Sequence, residues 1–400
     1  MPRHVLMLAF AATLIAAAPL TAAEPQAVPQ TGSQRAAVEA ILPKITLPPG
    51  FHIEVFALVP GARQIAVSPT GRTVFVGQWR GPAHVVGVAP ESGGERHVSP
   101  FDTGRPHRIP NGVCFAPDGT LYLAEANAVT AFPQAEAQRA EPAPSARAIV
   151  ADGSLVPAAE IGNAHSARVC RIGPDDRLYV AVGQPYNVPP KSKQELYHRL
   201  GLGGILRMDR DGKNRDVFAT GIRNSVGLDF NPADGSLWFT DNQVDLMGDD
   251  IPPGEVNRAA KPGLDFGFPW YGGGHTRTRE YADETPPADV VFPEVEMVAH
   301  AADLGLSFYR GSAFPPEYRG GIFSAQHGSW NRTVPVGARV MFTPIAADGH
   351  AGAPRPFAEG WKTPSGSYLG RPVDVAELPD GSLLVSDDRN GALYRIWYAP

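Results

Sequence analysis

A histidine lies in the segment Asn163–Arg168, just before a predicted strand. The unperturbed pKa of histidine lies close to neutral pH, so His165 is a candidate general base at the entrance of a strand. The chain has 11 histidines, and a surface or capping role is the alternative for a single one of them.

An arginine and an asparagine stand side by side in Gly221–Gly227. The guanidinium group of Arg223 offers a fixed fork of donors that suits a carboxylate or a developing oxyanion, and Asn224 can both donate and accept hydrogen bonds. An ion pair between Arg223 and an acidic residue of a neighbouring structural unit is equally compatible with this pattern.

Five carboxylates fall within fifteen residues of the segment Thr240–Asn257, among Gly and Pro residues that shape the backbone. Hard oxygen ligands of this kind are those that calcium prefers, and magnesium is a weaker option. The segment lacks the EF-hand pattern, and an ordinary solvated acidic loop is the alternative. The candidate metal ligands are Asp249, Asp250 and Glu255.

An aromatic residue lies next to polar and cationic side chains in Gln326–Arg332, and a further arginine, Arg371, follows in Gly370–Asp374. The face of Trp330 beside Asn331 and Arg332 could hold a flat anionic ring, whereas a buried structural tryptophan is the alternative. The chain has no dinucleotide fingerprint after a strand, no Walker loop and no nucleophile elbow, which leaves NAD, ATP and serine-hydrolase chemistry without support.

A strand-turn-strand phrase built around Pro-Asp-Gly recurs along the chain and must position these residues. Pro presets φ, Asp bonds its own backbone and Gly accepts a positive φ, so each phrase predicts two short strands joined by a tight turn. The phrases are Ala66–Val76, Phe115–Leu123, Ile172–Val180, Phe230–Phe239, a degenerate one at Gly321–Gln326, and Leu378–Val385. A further apolar strand follows each: His84–Val88, Ala128–Phe132, Ile205–Met208, Glu255–Ala259, Ala338–Ile345 and Ala392–Ile396.

Six such units predict an all-β, six-bladed β-propeller, with His52–Phe56 completing the last unit and closing the ring. A two-sheet sandwich or separate β domains are the alternatives. The fourth unit is the longest, because it includes the Gly- and Pro-rich region 245–320, and long connections often carry binding sites.

The chain divides into three parts. Residues 1–23 resemble a secretory signal, with Arg3 before an apolar, Ala-rich run that is short for a membrane span. Residues 24–45 are expected to be a flexible lead-in, and residues 46–400 to form the propeller. Export would make the protein periplasmic or secreted, with no stable membrane insertion. The net charge of −6 argues against nucleic acid or anionic membrane as the main partner.

The chain contains two cysteines, Cys114 and Cys170. Alignment of the second and third turn phrases places Val113, not Cys114, at the position equivalent to Cys170. Neighbouring residues of a strand point to opposite faces, so the two thiols point to different faces of equivalent strands. We therefore expect two buried apolar fillers rather than a disulfide.

Several of these stretches resemble the soluble quinoprotein sugar dehydrogenases, most closely the sorbosone/aldose dehydrogenase branch, over residues 45–398. The resemblance rests above all on Arg223–Gly227 combined with Thr240–Asn242 and Gly248–Asp250. The other matching stretches are Pro110–Val113, His165 with Gly173–Asp175, Ile205–Met208, Glu255–Asn257, Phe266–Pro269, Leu304–Tyr309 and Gln326–Arg332.

The resemblance implies a six-bladed propeller that binds pyrroloquinoline quinone (PQQ) and calcium, oxidises an aldose or a sorbosone-like aldehyde sugar, and passes electrons to an external quinone or cytochrome c. It implies that His165 is the base, that Asp249, Asp250 and Glu255 bind calcium, and that the cofactor contacts are Arg223, Asn224, Trp330, Asn331, Arg332 and Arg371. The chain departs from the family at Ala164, Gly254 and Val373, where an Asp, an acidic residue and a second Arg are expected. A calcium-dependent lactonase-type hydrolase and a binding-only propeller are the alternative functions.

Overall fold

The computed structural model describes residues 26–90, 94–162 and 164–400, and the suggested signal sequence lies outside them. Six antiparallel sheets, each of four main strands, form a six-bladed β-propeller. Strand β1 (Phe51–Leu58) belongs to blade 6. The strands of the first three blades are β2 (Ala62–Val67), β3 (Thr73–Gln78), β4 (His84–Gly87) and β5 (Val98–Pro100); β6 (Gly112–Phe115), β7 (Leu121–Glu125), β8 (Ala128–Phe132) and β9 (Arg147–Val150); and β10 (Val169–Ile172), β11 (Leu178–Val182), β12 (Gly204–Met208) and β13 (Asp216–Thr220).

Blades 4 to 6 follow the same pattern, with one additional strand. Blade 4 contains β14 (Leu228–Phe230), β15 (Leu237–Asp241), β16 (Gly254–Ala259) and β18 (Val295–Met297), while β17 (Leu264–Asp265) pairs in parallel with β13 of blade 3. Blade 5 contains β19 (Asp303–Phe308), β20 (Ile322–Gln326), β21 (Arg339–Thr343) and β22 (Arg355–Glu359). Blade 6 contains β23 (Pro372–Glu377), β24 (Leu383–Asp387), β25 (Ala392–Tyr398) and β1.

The Pro-Asp-Gly phrases form the turns that the sequence predicts. In blade 2 the side chain of Asp118 accepts the backbone N–H of Thr120 at 3.0 Å, and Gly119 has a φ of 87°. Glycine tolerates this positive φ because it lacks a Cβ atom. Asp380 makes the same 3.0 Å contact with the N–H of Ser382 in blade 6.

The ring closes through pairing of the first and last strands. β1 runs antiparallel to β25, from Phe51 opposite Tyr398 to Leu58 opposite Ala392. This pairing confirms the closing role predicted for His52–Phe56. It also protects two strand edges that would otherwise be open to pairing with another chain.

Apolar side chains pack between adjacent blades rather than in a single central core. Between blades 5 and 6 the ring of Phe51 makes edge-on contacts with Phe314, Tyr318 and Phe357, with centroids 4.8–5.3 Å apart. Edge-to-face geometry is favourable for aromatic rings, and each pair adds about 0.5–1.5 kcal/mol beyond the burial of its area. Each blade is thus held by its two neighbours.

The segment preceding β1 packs against the ring, which differs from the flexible lead-in expected for residues 24–45. It contains helix α1 (Ser33–Glu39) and a 3₁₀ turn at Leu42–Lys44, and Val38 is buried. The side chain of Gln30 bonds both the N–H and the C=O of Leu58, at 2.8 and 3.0 Å.

The remaining helical segments are short. Helix α2 (Gln194–Leu200) follows a 3₁₀ turn at Lys191–Lys193, and two other 3₁₀ turns lie at Ala158–Glu160 and Pro316–Tyr318. Within the described residues, no helix has the length and apolar character needed to cross a membrane.

The expectation of two free cysteines is wrong: Cys114 and Cys170 form a disulfide, with their Cα atoms 5.8 Å apart. The two residues lie on β6 and β10, the first strands of adjacent blades. One face of a blade contacts the preceding blade and the other face contacts the next. Cys114 lies on the face of blade 2 that contacts blade 3, and Cys170 lies on the face of blade 3 that contacts blade 2, so the two side chains meet between the blades.

Candidate active site

His165 lies before β10 with a φ of 55°, a left-handed conformation that few non-glycine residues adopt. Its Nδ1 atom is 2.6 Å from the main-chain carbonyl oxygen of Gln184. Because a carbonyl can only accept, Nδ1 must carry the hydrogen and donate it. The neutral ring then presents Nε2 as an unprotonated acceptor.

The surroundings of His165 keep its imidazole neutral. Burial, together with the positive charge of Arg223, lowers the pKa of His165 to about 3. Both effects oppose addition of a second proton to the ring. At neutral pH, therefore, the ring is unprotonated and its Nε2 lone pair is free, and transfer of a proton to it requires negative charge in the cavity to offset the charge that the ring gains.

Arg223 is buried and is held by several groups at once. Its Nε donates to the carbonyl oxygen of Asn187 at 3.0 Å, and its Nη1 donates to that of Asn242 at 3.1 Å. Its Nη2 lies 2.8 Å from both Oδ1 of Asn187 and Oδ2 of Asp245. Arg223 thus has an acidic partner, but Asp245 belongs to the same blade rather than to a neighbouring one. These contacts fix the plane of the guanidinium group.

Asn224 lies against Gly183, close to His165. A Cβ atom on Gly183 would lie 2.5 Å from Oδ1 of Asn224 and 2.8 Å from the carbonyl oxygen of His165. Only glycine at this position allows the three residues to approach one another. The Oδ1 atom of Asn224 is buried and has no hydrogen-bond partner in the part of the chain that the structure describes.

A cavity of about 120 Å³, which we call the His165 cavity, brings five of the predicted site residues together. Trp330 is 69% exposed, so the alternative of a buried structural tryptophan does not apply. Nδ2 of Asn331 donates to Oδ1 of Asp245 at 3.1 Å and thereby connects the Trp330 loop to Arg223. The predicted residues that line the cavity are His165, Arg223, Asn224, Trp330 and Asn331.

Two predicted cationic contacts, Arg332 and Arg371, do not line this cavity. Nη2 of Arg332 pairs with Oδ1 of Asp250 at 3.0 Å. The guanidinium group of Arg371 donates to the carbonyl oxygens of His327 and Gly328. Both arginines therefore hold loops in the described conformation.

The structure does not bring together the three carboxylates predicted to bind calcium. Asp249 accepts the backbone N–H of Thr333 at 3.0 Å, and Asp250 pairs with Arg332. Glu255 lies apart from them on β16, buried, where it accepts the N–H of Gly274 at 2.6 Å. No group of three His, Cys, Asp or Glu side chains suited to a metal ion occurs among the described residues.

Glu255 instead belongs to a buried acidic pair. It stands opposite Asp241 in the β15–β16 ladder, and burial together with the charge of Asp241 raises the pKa of Glu255 to about 8. Asp241 accepts the backbone N–H groups of Arg223 and Asn224 at 2.8 and 2.7 Å. Asp241 thus positions both cavity residues, a role that the sequence analysis missed.

Two departures from the family pattern have structural explanations. A Cβ atom on Gly254 would lie 2.0 Å from Oδ2 of Asp303, a buried carboxylate from the neighbouring blade. Larger side chains are therefore excluded at position 254, and an acid is supplied from β19 instead. Val373 is 2% exposed and packs in an apolar cluster between blades, where an arginine would be poorly solvated.

Arg168, also missed, places a positive charge beside the backbone of His165 and Gly183. Its guanidinium group donates to the carbonyl oxygens of Ala126, His165 and Gly183, and no carboxylate pairs with it in the described ranges of the chain. Burial and the nearby charge of Arg108 lower the pKa of Arg168 to about 10. At neutral pH this buried charge favours an anion nearby.

Comparisons with known proteins agree with this architecture. The model of the family described as glucose/sorbosone dehydrogenase matches residues 115–329, and the chain belongs to this family. An uncharacterised protein of Borreliella burgdorferi is 36% identical over 239 residues, which cover 58% of this chain and 61% of that protein. The chain thus matches less than two thirds of this relative's length.

Two solved structures share the fold. The PQQ domain of a pyranose dehydrogenase from Coprinopsis cinerea, in its holo form, superposes with a TM-score of 0.69 at 19% identity, covering 88% of this chain and 97% of that one. A calcium structure of a Trichoderma reesei carbohydrate-active enzyme of family AA12 gives the same TM-score and identity, covering 89% and 97%.

Proposed function

We propose that this protein is a sugar dehydrogenase that binds PQQ in an enlarged His165 cavity and oxidises an aldose or a sorbosone-like aldehyde sugar. Membership of the glucose/sorbosone dehydrogenase family supports the reaction class. The observation that carries the assignment to this site is the convergence of His165, Arg223 and Asn224 on one cavity. Electrons would pass to an external acceptor, a quinone or cytochrome c.

The residues present fit an anionic quinone in their chemistry. Arg223 lines the cavity and shares its charge with Asp245, while Arg168 is bonded to the carbonyl oxygen of His165 and has no carboxylate partner in the described chain. The unpartnered Oδ1 of Asn224 is an acceptor, so it suits a hydroxyl donor of the sugar rather than a quinone oxygen. The cavity of about 120 Å³ is smaller than typical ligand pockets of about 300–1,000 Å³. The exposed Trp330 and its loop would therefore shift outward when the cofactor binds.

The described carboxylates do not fit the calcium site that the resemblance implies. The loop carbonyl oxygens of Gly248 and Ile251, which are other potential ligands, lie 2.8 and 3.0 Å from Nε2 of His300 and are already hydrogen-bonded. We keep calcium as a proposed requirement because the similar Trichoderma structure is described as a calcium structure. No step of the reaction is assigned to the ion.

When bound, PQQ would supply the two-electron redox chemistry, and the protein would orient the sugar and remove a proton. The Gln184 carbonyl fixes the hydrogen of His165 on Nδ1, which leaves Nε2 to accept the proton of the sugar hydroxyl. Arg223 lines the cavity and is held rigidly by Asn187 and Asp245, so its positive charge lies close to where negative charge would develop.

The decisive experiment is dye-linked dehydrogenase activity of the purified protein, with PQQ and calcium added singly and together, across several aldoses and sorbosone. Turnover that requires PQQ would support the proposal and reveal the substrate class. The omission of calcium tests the ion separately. Absence of both turnover and PQQ binding would contradict the proposal and favour the lactonase-type or binding-only alternative.

A location outside the cytoplasm is also proposed. The Cys114–Cys170 disulfide supports it, because disulfides persist mainly in oxidising compartments such as the periplasm. Fractionation of the native host, followed by N-terminal sequencing, would test both this location and the cleavage expected after residue 23.

A further inference from the structure

A second cavity, of about 380 Å³, lies between helix α2 and the segment that follows β17. We call it the Trp270 cavity. Its volume falls within the range of about 300–1,000 Å³ that is typical of small-molecule sites. Gln184 connects it to the first cavity, because this residue lines the Trp270 cavity while its carbonyl oxygen holds His165.

Apolar groups form much of the wall of the Trp270 cavity. Leu202, Phe268 and Pro269 are buried, and the ring of Trp270 packs edge-on against Tyr281 at 5.9 Å. A flat apolar ring would gain favourable contacts with these side chains, at about 25 cal/mol for each Å² removed from water.

Two side chains that line this cavity each carry a buried N–H donor without a partner within the described chain, Nε1 of Trp270 and Nε2 of Gln194. A buried donor without an acceptor costs roughly 1–3 kcal/mol. A ligand carrying oxygen acceptors would remove this cost. The unsatisfied groups are donors, so the expected ligand is rich in acceptors.

The acidic side chains around the cavity disfavour an anion and give little support to a sugar. Asp265 lines the wall, and its oxygens already accept the N–H of Gly267 at 2.8 Å and the hydroxyl of Thr220 at 3.1 Å. A sugar has many hydroxyl donors that would require acceptors here. Glu195 lies 3.8 Å from Arg199, which also lines the cavity, so Asp265 is the carboxylate that would repel a phosphate or a carboxylate ligand.

We propose that the Trp270 cavity binds an uncharged flat ring bearing carbonyl oxygens, specifically a benzoquinone, with one carbonyl accepting from Trp270 or Gln194. The role of this benzoquinone as electron acceptor rests on the proposed function. An aldose that is oxidised to a lactone loses two electrons and two protons, and the benzoquinone gains the two electrons and two protons to become a hydroquinone. Binding of the ring does not depend on that function.

Calorimetric titration of the full-length mature protein with duroquinone tests the proposal, because the fully methylated ring does not add to nucleophilic side chains. We expect saturable binding of one ring per chain, with D-glucose unable to compete. Trp270→Phe keeps an aromatic ring but removes the N–H, and we expect about tenfold weaker binding, the effect of losing one hydrogen bond. Gln194→Met, at a half-buried helix position, should weaken binding several-fold.

Trp397→Phe is the matched control, because Trp397 stacks on His52 in blade 6, away from the cavity. It should leave the affinity unchanged, and thermal melting should confirm that each variant is folded. The proposal is overturned by absence of saturable binding, by competition with glucose, or by unchanged affinity in both Trp270→Phe and Gln194→Met. Loss of binding in Trp330→Ala with full binding in Trp270→Phe would place the ring in the His165 cavity and also overturn it. These results are independent of sugar turnover, so the two proposals can fail separately.

Discussion

The chemical state of His165 is set by one main-chain contact. The carbonyl oxygen of Gln184 requires a hydrogen on Nδ1, and burial beside Arg223 holds the pKa of the ring low. Few residues can adopt the positive φ of His165 without strain, so its position depends on the surrounding structure. Substitution of His165 therefore tests the proton-transfer role more directly than changes around it do.

We predict that His165→Gln lowers sugar turnover about 10²–10⁴-fold, the usual contribution of a positioned general base. A glutamine side chain can still reach the Gln184 carbonyl but offers no basic nitrogen. Steady-state kinetics of the PQQ-loaded protein measures the effect. His52→Gln, in the outer strand of blade 6, is the control and should retain full turnover. Unchanged turnover in His165→Gln would remove this residue from the mechanism.

Arg223→Lys should weaken PQQ binding at least tenfold, because lysine cannot reproduce the forked contacts with Asn187 and Asp245. A hydrogen bond to a charged group is worth about 1.5–3 kcal/mol, and 1.4 kcal/mol corresponds to a factor of ten. Absorbance titration with PQQ measures the change. Arg72→Lys on the exposed surface is the control. Equal affinity of Arg223→Lys and the parent protein would contradict the role.

The sequence predicted the members of the site better than their contacts. His165, Arg223 and Asn224 meet because they precede first strands of neighbouring blades, and repeat position alone predicts this proximity. Arg332 and Arg371 are expected in the site both from their residue types and from the resemblance, yet both bond other loops. Side-chain direction in irregular loops depends on local carbonyls and carboxylates, which no repeat pattern specifies.

At the scale of elements, the hairpin of β15 and β16 contains the opposed pair Asp241 and Glu255. Burial raises the pKa of Asp241 to about 6, but its two backbone N–H bonds and the nearby Arg223 oppose this shift and keep the pKa of Asp241 below that of Glu255. Glu255 lacks a cationic partner of this kind, and its raised pKa makes it the protonated member at neutral pH. At pH values between the ordinary pKa of glutamate and about 8, Glu255 is protonated in the folded state but ionised in the unfolded state. Stability from Glu255 is thus complete at low pH and is lost as the pH rises toward 8.

We predict that Glu255→Gln raises the melting temperature at pH 8 more than at pH 5, because the amide needs no proton to stay neutral. Each kcal/mol gained would correspond to about 2 °C. Thermal melts from pH 5 to pH 8 measure the difference. Glu39→Gln, at an exposed helix position paired with Arg35, is the control and should not change the pH dependence. A parallel shift of the Glu255→Gln melts at all pH values would contradict the assignment.

The strands next to the repeated turn phrases could be predicted from the sequence. The elements that could not be predicted, β17 and α1, lie outside these phrases. Strand β17 has two residues and no alternating pattern of its own, and it joins blade 3 only because the long insertion of blade 4 folds back. Helix α1 could not be predicted because seven residues are too few for a helix that is stable alone, and its stability comes from burying Val38 against the ring.

For the whole molecule, the disulfide ties blade 2 to blade 3 across an enclosed loop of 56 residues. Alignment of the repeats correctly predicts that the two thiols point to opposite faces of their blades. It does not predict the disulfide, because the contact between the facing sides of adjacent blades exists only in the assembled ring. Both cysteines lie in the apolar cluster shared by these blades.

We predict that Cys170→Ser lowers the free energy of unfolding by about 4 kcal/mol, the value expected from loop entropy for a ring of this size. Guanidinium denaturation of the oxidised parent and the variant measures this. Treatment of the parent with a reductant should cause a similar loss, and it should have little effect on the variant. Equal stability of the oxidised parent and the variant would contradict the prediction.

The pairing of β1 with β25 also bears on how the chain can be synthesised. Phe51 meets Tyr398 across this seam, so β1 has no partner strand until β25 has been synthesised. The ring stays open until β25 has left the ribosome, and until then the unpaired β1 is exposed to chaperones. Under the export proposed above, the chain would cross the membrane before this seam forms, and the two cysteines would be oxidised on the far side.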